Sequence, residues 1–162
     1  MNDERSVRID RLRYTKNALA SRLAILAILF DVLFFVSIYK SDQGNYYYNI
    51  LIGASILYNL VFMLTVFLAS EGVKNYRIGY SYLLIAIGII QILRIFIIPV
   101  NAHAATITVK GVTSVVMGSA QFIRVIVWLC LSAACCFAGA VINIKKSRAL
   151  ALHMASLDGQ KA

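Results

Sequence analysis

The chain has 162 residues, 60% of them hydrophobic and only 14% charged, with a mean hydropathy of +0.78. A soluble domain carries about a quarter charged residues and less apolar content. With one proline and nine glycines, a disordered chain, a collagen-like repeat and a nucleic-acid module are excluded, and a membrane protein is indicated. The formal charge of +9 is no nucleic-acid footprint, because the basic residues flank apolar stretches and form no stripe.

Residues 1–18 form a basic segment holding Arg5, Arg8, Arg11, Arg13 and Lys16. Ile9, Leu12, Leu19 and Leu23 fall on one helical stripe, interrupted by Lys16, and arginines fill the other faces. A basic amphipathic helix running into a span lies along an anionic inner leaflet; docking to a cytoplasmic partner is the alternative. No cleavable leader is expected: the first apolar stretch follows some twenty polar residues and contains Asp31, and it reads as an uncleaved anchor.

A bilayer core takes about 20 apolar residues of helix to cross, and four stretches qualify: 19–39, 50–70, 80–100 and 120–143. The first two are separated by the turn-rich Lys40-Ser-Asp-Gln-Gly-Asn45, the next two by the polar run from Glu71 to Gly79. Pro99 closes the third span, and Asn101 and His103 follow, both expected in a solvated loop. The connection 101–119 holds the β-branched run Thr106–Val109, then Lys110-Gly111, then Val112–Val116. It reads as a structured surface loop; a hairpin or an early start of the fourth helix would also fit. In the tail, 144–162, Leu150, Met154 and Leu157 make a short apolar stripe after Lys145, Lys146 and Arg148.

Orientation follows from the Lys and Arg on each side. With the N-terminus inside, segments 1–22, 71–79 and 144–162 hold six, two and four, twelve in all, against only Lys40 and Lys110 opposite. Both termini are therefore expected in the cytoplasm, and the fold is expected to be an all-α bundle of four transmembrane helices in the plasma membrane of a bacterium. Tyr46, Tyr47 and Tyr48 at one edge and Tyr76, Tyr80 and Tyr82 at the other fit interfacial belts.

Charges inside a span are costly and mark candidate sites. At 1.5 Å per residue, Asp31 lies roughly 12 Å from the outer end of its span, Arg94 roughly 9 Å and Arg124 about 6 Å. Arg124 is expected to snorkel as an outer anchor, with Trp128 one turn deeper under its guanidinium. The short side chain of Asp31 has no such escape. An intramembrane cluster of Asp31, Asn59, Gln91 and Arg94 is therefore expected, with Ser55 one turn from Asn59. In the fourth span Ser132, Cys136 and Ala140 repeat every four residues, as do Cys135 and Gly139, a small-residue packing face. The cysteines Cys130, Cys135 and Cys136 read as apolar packers, since neighbours 135 and 136 point to different faces and do not converge on a metal.

No catalytic residues, metal site or cofactor motif are read from the chain. Two functions remain: a non-catalytic subunit of a larger membrane complex, in particular a transport assembly, or a small homo-oligomeric transporter using Asp31 and Arg94. The expected partners are the lipid bilayer and another membrane protein or further copies of the chain.

Overall fold

The computed structural model describes residues 16–38, 46–109 and 112–159. The basic amphipathic segment before Lys16 and the break from Lys40 to Asn45 lie outside the described residues. Within them run helices α1 (Ala18–Ile38), α2 (Tyr46–Lys74), α3 (Ile78–Ile97) and a one-turn extension α4 (Pro99–Ala104); a hairpin of β1 (Thr106–Val109) and β2 (Val112–Val115) then leads into α5 (Ser119–Gly159). Four helical stretches are long and apolar enough to cross a membrane, so the chain is a multi-pass helical bundle.

The helix ends differ from the sequence reading for local reasons. Asn17 is not helical; α1 begins one residue later, which breaks the expected helix through Lys16. The polar residues Glu71 to Lys74 stay in α2, joined by a Lys74–Glu71 ion pair of 2.9 Å across one turn. That helix ends in a Schellman motif: the Arg77 N–H donates to the Gly72 carbonyl and the Tyr76 N–H to Val73. Tyr76 takes the left-handed position at φ 58° that glycine usually fills. Pro99 interrupts the third span, as its ring and missing N–H require, and it starts α4 as the first helical residue. α5 has no break near residue 144: the fourth span and the tail are one helix of 41 residues, about 61 Å long.

The four long helices pack as a square. α1 and α5 make the most extensive interface, α3 and α5 the next, and α2 closes the ring beside α1 and α3. α1 and α3 thus face each other across a diagonal. The α1–α5 seam is built from small side chains, with Ala20, Ala24 and Ala27 on one helix and Ser132, Cys136 and Ala140 on the other, all buried. A Cβ added at Gly139 would stand 3.3 Å from the Ala20 carbonyl oxygen, so the two backbones approach closely there. The outward faces carry large apolar side chains on every span, Leu29, Leu64, Phe96 and Ile123 among them, as a lipid-facing bundle needs.

The connection after Pro99 is a true β-hairpin. Thr106 pairs with Val115 and Val109 with Val112, and the Val116 N–H extends the ladder to the Ala105 carbonyl at 3.0 Å. Its β-branched residues suit a pleated pair better than a helix. A cap of Phe34, Ile38, Ala102, Met117, Val125 and Leu129 closes this end of the bundle. His103 belongs to that cap and not to a solvated loop: its Nδ1 lies 2.9 Å from the Met117 carbonyl oxygen, and its ring stacks on Phe122 with centroids 4.4 Å apart.

Candidate functional site

The centre of the square is polar. Asp31 on α1 and Gln91 and Arg94 on α3 meet across the diagonal, where one carboxylate oxygen, Asp31 Oδ1, accepts from Arg94 Nη1 at 2.9 Å and from Gln91 Nε2 at 2.9 Å. Asp31 is 1% exposed and Arg94 4%. The i, i+3 spacing of Gln91 and Arg94 puts both on the inward face of α3, along with buried Ser81, Leu84, Ile87 and Gly88.

Two further helices complete the contacts. Arg94 Nη2 donates to Ser55 Oγ of α2 at 2.7 Å. Its guanidinium lies between two rings, 4.2 Å from the Phe34 centroid and 4.5 Å from that of Tyr58, a geometry that favours a desolvated cation. Gln91 Nε2 also reaches Ser132 Oγ of α5 at 3.3 Å, and the Ser132 hydroxyl donates to the Ala27 carbonyl at 2.9 Å. Ser132 therefore serves the small-residue seam and the polar centre at once. All four long helices thus contribute a polar group to one level.

Apolar layers flank this level on both sides. Toward the hairpin stands the cap that contains Phe34, Met117 and Leu129. Toward the other end lie Ala20, Ala24, Ala27, Phe62, Val66, Leu84, Cys136 and Ala140. Beyond that second layer comes another polar tier. Asn143 Nδ2 donates to Ser81 Oγ at 2.7 Å and to the Arg77 carbonyl at 3.2 Å, while Asn17 Nδ2 donates to Asn143 Oδ1 at 3.0 Å. Ser21 and Ser70 pair at 3.1 Å, and the Ser147 hydroxyl donates to the Tyr76 carbonyl at 2.8 Å. This tier ties the α2–α3 turn and the start of α1 to α5.

Asn59 sits beside the central cluster but outside its hydrogen-bond network. It is buried, at 5% exposure, and neither its amide oxygen nor its amide nitrogen has a hydrogen-bond partner among the described residues; the same is true of Asp31 Oδ2. Both residues line one cavity of about 80 Å³ between α1 and α2, together with Val32, Phe35, Ile56, Leu60 and Met63. On the opposite flank of Arg94, a groove of about 270 Å³ runs between α2 and α3, walled by Ala54, Tyr58, Ile90, Leu93, Ile97 and Ile98.

Two expected contacts are replaced by others. Trp128 does not lie under Arg124; it stacks on Phe30 at 5.9 Å with the planes 18° apart, because α5 turns that face toward α1. Arg124 is exposed, and the aromatic faces that hold a guanidinium belong to Arg94. Within the packing face, Ser132, Cys136, Gly139 and Ala140 are buried, while Cys135 is half-buried. Ser55, Tyr58, Phe34 and Ser132 are the members of the centre that the sequence did not single out as a group. Comparison of the chain with protein-family models, with curated proteins and with solved structures finds no match.

Proposed function

We propose that the chain is a non-catalytic integral membrane subunit of a larger membrane complex, with an accessory role in a transport assembly. The observation that carries this reading is the closure of the Asp31–Arg94 pair within one chain. Arg94 and the Oδ1 of Asp31 are answered by their own bundle, and apolar layers stand on either side. Such a centre fixes helix register and leaves the chemistry of a passage to another component. The outward apolar faces then meet lipid and a neighbouring membrane protein. In this reading both termini lie in the cytoplasm, and the membrane is the plasma membrane of a bacterial cell.

The test is a paired one. Solubilised in mild detergent, the chain should co-elute with a second membrane polypeptide in fixed stoichiometry, and liposomes holding the chain alone should conduct neither protons nor solutes. Protein-dependent flux from the chain alone overturns the reading. A second reading, a small homo-oligomeric transporter, is favoured by one observation: Asp31, with its Oδ2 unpartnered among the described residues, lines a cavity between two helices. It requires Asp31→Asn to abolish flux while leaving the folded bundle intact.

A further inference from the structure

The cavity between α1 and α2 has a chemistry of its own. Its walls are apolar except at Asp31 and Asn59. Each of these is more than nine-tenths buried, and just behind the lining lie three of their polar atoms, Asp31 Oδ2, Asn59 Oδ1 and Asn59 Nδ2, that nothing among the described residues satisfies. The two side chains do not bond each other. Leaving such groups unanswered is costly anywhere in a protein interior, and more so at membrane depth.

Three classes of occupant can be compared. A hard metal cation seeks about six oxygens, and the cavity offers it Asp31 Oδ2 and Asn59 Oδ1. An anion would meet the carboxylate oxygen. The Asp31–Arg94 pair is already neutral as a unit, so any added charge would stand uncompensated in a low-dielectric region. A neutral hydroxyl answers two of the three atoms, with one donor for the carboxylate and lone pairs for the amide N–H, and water has a second donor for Asn59 Oδ1. The volume of about 80 Å³ exceeds the ~10–15 Å³ that one water needs.

We propose that this cavity is a binding site for a neutral hydroxyl group, which donates to Asp31 Oδ2 and accepts from Asn59 Nδ2. The hydroxyl comes from water or from an aliphatic alcohol in the bilayer. In the second case the alkyl chain lies along Val32, Ile56 and Leu60, which line the cavity and are exposed on the outer face of the bundle. The site stands independently of the subunit reading.

The experiment uses the full chain in lipid nanodiscs, labelled with ¹⁵N in asparagine side chains, with the Asn59 signal assigned by its loss in Asn59→Leu. Octanol should shift the Asn59 Nδ2 resonance saturably. Octyl methyl ether, which lacks the donor, should bind about tenfold more weakly. That result assigns the alcohol source. A persistent cross-peak from Asn59 Nδ2 to water, unmoved by octanol, assigns the water source. The proposal is overturned if the ether acts as strongly as the alcohol, or if no cross-peak to any hydroxyl proton is found. It is equally overturned if the signal follows the protein-to-lipid ratio, which would place a second copy in the cavity.

Discussion

Removing Arg94's partner and removing both partners are physically different operations. In Asp31→Leu the guanidinium stays between Phe34 and Tyr58 with Ser55 as its remaining acceptor, a buried charge without a counter-charge. Breaking such a pair from one side costs about 3–5 kcal/mol, whereas replacing both members with apolar groups is often neutral. The double variant Asp31→Leu/Arg94→Met should therefore unfold later than Asp31→Leu in a denaturing-detergent titration. A double variant as unstable as the single one would contradict a locking role. Ser132→Ala removes one donor and one acceptor from the centre and should cost only about 0.6 kcal/mol per bond, the membrane average, in the same titration. At this scale Asp31 and Arg94 are legible from sequence alone, because an ionised side chain inside an apolar span must find a partner. Tyr58 is not, since tyrosine occurs in spans for many reasons, and Ser55 is legible only as a neighbour of Asn59. Only the rotation of α2 about its axis decides that Ser55 faces Arg94 while Asn59 faces the α1 cavity.

Among the elements, the small-residue seam gives the clearest expectation. Gly139→Leu would drive a side chain into the Ala20 backbone and Leu84, and should destabilise the bundle by about 1–3 kcal/mol through overpacking. At Gly53 an added Cβ meets nothing within 4 Å, and Gly53→Ala, which should not lower stability, serves as the control. Thermal unfolding of both variants in one detergent checks the contrast. A smaller intrusion suffices at Gly72, where even an added Cβ would fall within the Tyr80 ring, so Gly72→Ala should lower the midpoint as well. The four-residue repeat of Ser132, Cys136 and Ala140 makes the seam visible in the sequence, but it does not name the opposing helix. Ala20, Ala24 and Ala27 supply that face at spacings of four and three, hidden in a span that is apolar on most faces. The hairpin was only one of several readings, since valine and threonine serve a loop, a strand or a helix start alike. Pairing with Ala105 and the Met117 cap resolves it, and those contacts are set by the fold rather than by local preference.

For the whole molecule, the proposed orientation makes a labelling prediction. In intact cells a membrane-impermeant maleimide should react with Val115→Cys in the hairpin and not with Lys145→Cys on α5, and lysis should expose the second. The parent chain is the background, its three cysteines all lying within α5. Reaction of Lys145→Cys in intact cells would reverse the topology. The unbroken α5 has a mechanical consequence. From Asn143, gripped by Asn17, Ser81 and the Arg77 carbonyl, the helix runs on to Gly159, about 24 Å of stiff rod. Pivoting by 10° about that grip would swing the tip by roughly 4 Å over this length. A probe attached near Ser156 would thus act as the needle of a gauge, reporting small rearrangements of the buried bundle as displacements large enough to read by distance spectroscopy.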